Sequence, residues 1–193
     1  MCLISVAGNI AAAFLAAALH LPLFSDTIFT VAVTFYAGLV PGLIVAALYN
    51  PVMTLVECAV YGTEMFYFDF LYALCGMLIV LSTYLLSRNK KEFFFNRTVT
   101  ILYLLLIAFV SSFLSSFAAT ILDTFIRPLF ETISGFSRID NFSTVFQKLQ
   151  FGVFLSYLLP RIPITVLDRL MCTFLGFALY RLLDRNMSCR WKV

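Results

Sequence analysis

The chain has 193 residues, 62% of them hydrophobic and 12% charged, with a mean hydropathy of +0.99 and a formal net charge of +3. Soluble domains carry about 45–50% apolar and 25% charged residues, so the composition excludes one and indicates an all-α integral membrane protein. No stretch is long and polar enough for a separate soluble unit, so one transmembrane bundle over residues 1–193 is expected.

The first apolar run is Leu3–Leu21. No positively charged leader precedes it, so it reads as a mature span. Within it, GNIAAAFLAAA sets Ala7 and Ala11, Ala12 and Ala16, and Ala13 and Ala17 four residues apart. Small residues at that spacing let another helix approach closely, and in lipid such packing drives association. The neighbour is either another helix of this protein or an external partner.

The next stretch, Thr27 to about Val60, is too long for one span and too short for two full ones, since a core of about 30 Å needs about 20 helical residues. Pro41 lacks the helical donor, and Gly38 and Gly42 permit a tight turn. A break at Gly38–Gly42 is therefore expected. It leaves Thr27–Gly38, about 18 Å long, and a second helix from about Pro41 to Tyr61.

Three further spans are expected at Tyr67–Leu86, Thr98–Ile126 and Ile162–Leu183, making six. Arg88, Lys90, Lys91 and Arg97 follow the fourth, and Arg181, Arg185, Arg190 and Lys192 follow the last. Both clusters should face the cytoplasm. The outer connections are then Pro22–Asp26, Gly62–Phe66 and Arg127–Pro160. The last holds an amphipathic pattern with Phe142, Val145, Phe146 and Leu149 on one face, which reads as an ordered lid or an interfacial helix.

Neither enzyme nor metal chemistry is expected. The five cysteines are scattered without metal-ligand spacing, His20 is the single histidine, and no nucleotide or hydrolase motif occurs. The basic residues sit at segment ends and form no nucleic-acid patch.

Ionisable groups at membrane depth cost about 2.5–3.5 kcal/mol each on insertion scales, so their positions are informative. His20, Asp26, Glu57, Glu64, Asp69, Asp123, Arg127, Asp168 and Arg169 all fall toward the outer ends of different helices. Such convergence is what a polar pocket needs. At any one position the alternative is a structural pair, such as Asp123 with Arg127 at i,i+4. Phe66, Tyr67 and Phe68 are candidates for stacking on a flat ligand or for interface anchoring.

An alanine-striped first helix, a short loop into FSDTIFT, a short second helix, PGLIVAALYN, a fourth helix ending in RNKK and a sixth after a proline form a recognisable set. The chain resembles the substrate-binding S components of energy-coupling factor (ECF) transporters, most nearly the riboflavin-type members. The likeness covers nearly the whole chain as a topology and residues 7–50 as a motif. It departs from the pattern where the usual Gly-Pro pair is interrupted in Gly38-Leu39-Val40-Pro41-Gly42. The resemblance implies six helices, capture of a vitamin or similar small molecule from outside, and docking onto a transmembrane T component driven by two ABC-type ATPases. It assigns the docking surface to Ala7, Ala11, Ala12, Ala13, Ala16 and Ala17. It places the ligand under the loops Pro22–Asp26, Gly62–Asp69 and Arg127–Pro160. The expected substrate-binding residues are Asp26, Glu57, Glu64, Phe66, Tyr67, Asp69, Asp123, Arg127, Asp168 and Arg169, with no cofactor. The competing function is a ligand-sensing or interaction module of a membrane signalling system.

Overall fold

The computed structural model describes residues 1–21, 23–62, 65–130, 140–148, 150 and 152–190, with side chains described for all of these except 140–143 and 186–190. The regular elements among them are helical: α1 (Cys2–Ala18), α2 (Ile28–Ala37), α3 (Leu39–Tyr61), α4 (Ala73–Ser87), α5 (Lys90–Phe93), α6 (Arg97–Ile121), α7 (Asp140–Lys148) and α8 (Val153–Arg190). A 3-10 segment, Tyr67–Tyr72, leads into α4. A π-helical turn, Leu122–Ile126, and a 3-10 turn, Arg127–Phe130, continue α6. Four segments are long and apolar enough to cross a membrane: Leu39–Tyr61, Tyr67–Ser87, Arg97–Phe130 and Val153–Arg185. The apolar helices α1 and α2 are shorter.

The break between α2 and α3 falls on Gly38, whose φ of 88° is open to glycine and strained for other residues. Pro41 does not interrupt the chain, because it lies in the first turn of α3, where backbone N–H groups have no helical acceptor to lose. The expected turn through Gly42 is therefore compressed into one residue.

The helix α2 buries Ile28 and all of Thr30–Phe35, so it has no solvent or lipid stripe. A helix covered all round belongs to an interior. It packs against α1, α3, α4 and α8, while α1 with α3, α3 with α4, α4 with α6 and α6 with α8 pack as an outer wall. The residue that lets α8 come close is Gly176, where a Cβ would lie 2.8 Å from the Ile28 carbonyl oxygen. From α1, Asn9 donates to Thr30 Oγ1 at 2.7 Å and accepts from the Phe29 N–H at 2.9 Å. It thereby serves one of the free backbone donors at the start of α2, the Phe29 N–H, from a different helix.

Ten residues of helix span about 15 Å, half of a bilayer core. Around the carboxyl end of α2, the half of the bundle that this helix occupies is filled by aromatic packing: Phe35 lies against Phe93, Phe177 and Tyr180, and Phe93 against Phe94 and Tyr103. The Arg181 guanidinium sits 5.9 Å from the centre of the Phe94 ring, which brings the basic residues after α4 and those late in α8 to the same end.

The last helix departs from expectation. The predicted start at Ile162 moves back to Val153, and Pro160 and Pro163 lie inside α8. Prolines are tolerated inside membrane helices when packing and side-chain hydroxyls serve the freed backbone groups. Here α6, α2 and α7 pack along α8 on both sides of the two prolines. The amphipathic pattern does form a helix, α7, which packs on α8 with Phe146 half-buried and Val145 exposed. Phe142 and Leu149, also assigned to its apolar face, lie outside the described side chains.

Candidate functional site

The half of the bundle that α2 does not fill encloses a cavity of about 470 Å³. Its wall is built from helix faces. On α3, Tyr49, Met53, Glu57 and Tyr61 recur every fourth residue and so stack along one side, with Asn50 and Thr54 beside them. On α8 the same spacing aligns Arg161, Thr165 and Arg169. Tyr72 comes from the 3-10 segment, Cys75, Gly76 and Ile79 from the first half of α4, Ser115, Ser116 and Ala119 from the end of α6, and Ala13 and Ala17 from the end of α1. Phe24, Asp26, Thr27 and Thr30 enclose the cavity where α2 begins.

Two buried charge networks hold this wall. In the first, Arg161 Nη2 donates to Asp123 Oδ2 at 2.5 Å and the Tyr72 hydroxyl donates to Asp123 Oδ1 at 2.5 Å. The Arg161 guanidinium also lies 6.0 Å from the centre of the Tyr72 ring. Asp123 belongs to the π-helical turn after α6, an irregularity that often marks a functional stretch of a helix.

In the second network, Arg169 Nη2 reaches Asp168 Oδ2 at 2.7 Å and Asp26 Oδ1 at 3.0 Å, and Nη1 donates to the Thr27 hydroxyl. The remaining oxygen of Asp168 accepts from two successive backbone donors, Phe24 N–H at 2.9 Å and Ser25 N–H at 2.8 Å. Successive N–H groups turned toward one anion form a small concavity, and Ser25 adopts φ 52° there. Asp168, fully buried, therefore anchors the 23–27 segment to α8.

The residues expected at the site divide into layers. Asp26, Glu57, Phe66, Asp69, Arg127 and Arg169 line the cavity together. Asp123 and Asp168 stand behind that surface, bound to Arg161 and Arg169. Tyr67 is outside it, exposed, with its ring against Phe70. Phe68 does line the cavity, in a ring cluster with Phe66, Tyr72 and Phe130. Glu64 lies outside the described residues, as do Pro22, Thr63, residues 131–139 and Leu149 of the expected covering loops.

Arg161 is absent from the expected set because it falls between the expected loop, which ends at Pro160, and the expected helix, which begins at Ile162. Its signal was the Arg161-Thr165-Arg169 spacing, one polar stripe on a continuous helix.

The six alanines of α1 do not share a face. The pairs Ala7/Ala11, Ala12/Ala16 and Ala13/Ala17 start five and then one residue apart, so on a helix of about 3.6 residues per turn they point roughly 100–140° from one another. Ala16 is buried beside the direction of Asn9, Ala13 and Ala17 line the cavity, Ala12 is half-buried, and Ala7 and Ala11 point outward with Leu3, Ile4 and Leu15 exposed around them.

A volume of this size, mostly apolar and aromatic with a few convergent charges, suits a small organic molecule. No family model, curated protein or solved structure matches the chain.

Proposed function

We propose that this protein is the membrane-embedded capture subunit of an ATP-driven uptake transporter for a vitamin or similar small molecule. The observation that carries the reading is the half-filled bundle. An interior helix of ten residues closes one half, and the other half holds a cavity lined by polar groups from every long helix. A shallow pocket sealed at the opposite end by aromatic packing can hold a solute but cannot conduct one, so release requires a moving partner.

In this reading α1 and α2 count with the four longer helices to give six transmembrane segments in the cell membrane. The basic end around Arg88, Lys90, Lys91, Arg97 and Arg181 faces the cytoplasm and the cavity faces outward. The partner is a transmembrane T component carrying ABC-type ATPases, met through α1. The exposed Ala7 and Ala11, with no side chain larger than a methyl, supply the close-approach surface.

The test is recovery of the tagged protein from its native membranes in mild detergent, with co-purifying proteins identified by mass spectrometry. A helical membrane partner together with ABC-type ATPases is the expected result. Recovery of a kinase or cyclase without an ATPase would transfer the cavity to a sensory role.

A further inference from the structure

We infer that the cavity takes an organic cation, a small flat molecule with a positively charged nitrogen at one end and hydrogen-bond acceptors at the other. The inference rests on the capture reading above, since it names the substrate class of that same cavity.

The first ground is the charge balance. Arg127, Arg161 and Arg169 line the cavity, and carboxylates of the protein hold Arg161 and Arg169. Asp123 binds Arg161, and Asp26 and Asp168 both bind Arg169. Glu57 and Asp69 also line the cavity, and among the described residues no hydrogen bond or ion pair reaches either carboxylate group. Arg127 is the third arginine of the lining, and its single charge offsets at most one of these two. Among the described residues, five carboxylates thus stand against three arginines at the site. An anion would enter against that surplus and find Arg161 and Arg169 already paired. A cation would complete the balance, which matters because an uncompensated charge costs several kcal/mol away from water.

Aromatic placement agrees with the charge. Tyr61 lies one helical turn beyond Glu57, Tyr49 lies two turns before it, and Phe66 is three residues before Asp69, all lining the cavity. Ring faces attract cations, most strongly where water is displaced.

The second ground is a set of unpartnered donors. Arg161 Nε, Arg169 Nε and Ser116 Oγ are buried with no hydrogen-bond partner among the described residues, and all three residues line the cavity. Each is at most 5% exposed. A guanidinium nitrogen donates only, so its complement on a ligand is an acceptor. The acceptor end therefore lies against α8 and α6, and the cationic end toward Glu57 and Asp69.

The experiment uses three near-isosteric probes that differ in charge: tyramine (cation), tyrosol (neutral) and 4-hydroxyphenylacetate (anion). Each is titrated into the full-length protein in lipid nanodiscs, with binding read by calorimetry and by the shift in thermal unfolding. Tyramine should bind at least about tenfold more tightly than tyrosol, with the acid weakest. Replacing Glu57→Gln and Asp69→Asn together should abolish the preference for tyramine while tyrosol binding is kept. If that double variant loses tyrosol as well, Glu57→Gln alone decides, by the same comparison. Equal binding of the three probes, preference for the acid, or a tyramine preference that survives the substitutions would overturn the cation inference and leave the capture reading standing. No binding of any probe would overturn the cation inference too, and the capture reading would then stand or fall on the co-purification test.

Discussion

Arg161 on α8 and Asp123 in the turn after α6 meet at 2.5 Å across 38 residues of sequence, with side chains 6% and 1% exposed. The pair joins two wall helices at the depth of the cavity, and Tyr72 adds the 3-10 segment before α4 to the same carboxylate. Removing one member leaves the other charged and buried, which typically costs 3–5 kcal/mol. Asp123→Ala should therefore lower the unfolding temperature in detergent sharply. The double replacement Asp123→Leu with Arg161→Met should recover much of that loss, because it leaves no bare charge. A double variant no better than the single one would mean that the pair is not the source of the stability.

Asp26 belongs to the cavity surface and to the Arg169 network, but Asp168 holds Arg169 as well. Asp26→Ala should weaken ligand capture while membrane insertion and overall fold survive, with a stability loss of about 1 kcal/mol because the carboxylate is 24% exposed. Binding of tyramine and the unfolding curve, measured on the same sample, separate the two effects. Unchanged affinity would remove Asp26 from the binding surface.

Gly176 sets the distance between α8 and the interior helix. A methyl group there would lie 2.8 Å from the Ile28 carbonyl oxygen and 2.9 Å from Val31. Gly176→Ala should destabilise the protein by about 1–3 kcal/mol through overpacking, and Gly176→Leu by more. Thermal unfolding in one detergent checks the order. An alanine variant as stable as the parent would show that α2 shifts freely, against its burial on all sides.

Under the proposed function, docking and folding are tested separately on α1. Ala7→Leu with Ala11→Leu adds bulk on the exposed face, and the expected outcome is loss of the co-purifying partner with ligand binding retained. Ala16→Leu inserts the same bulk into a buried position and should lower stability and binding together. Retention of the partner by the first variant would exclude the outward face as the contact.

Asn9→Ala removes the donor to Thr30 and the acceptor for the Phe29 N–H. Interhelical polar contacts in membranes contribute about 0.6–2 kcal/mol, so a loss in that range is expected. Hydrogen exchange at Phe29 should rise with it. An unchanged rate would show that the backbone donor is protected by burial alone.

Composition and apolar periodicity alone sufficed for helices, for their approximate spans and for the short second one. Each of these follows from local chemistry: apolar runs against the length of a bilayer, and Gly38 against the cost of a left-handed backbone. The gathering of Asp26, Glu57, Phe66, Asp69, Arg127 and Arg169 at one end was legible too, because antiparallel helices return their ends to common levels. Tertiary structure alone decided what those residues face. Whether a charge is exposed to a ligand or consumed by the protein depends on partners far away in sequence, as with Asp168 and the Phe24 and Ser25 backbone, or Asp123 and Arg161. Likewise, the alanine pattern of α1 looked like one surface as a string of letters, and helical rotation divides it into three. Pro160 of α8 read as a break for the same reason: the packing that lets a helix continue through it is supplied by other parts of the chain.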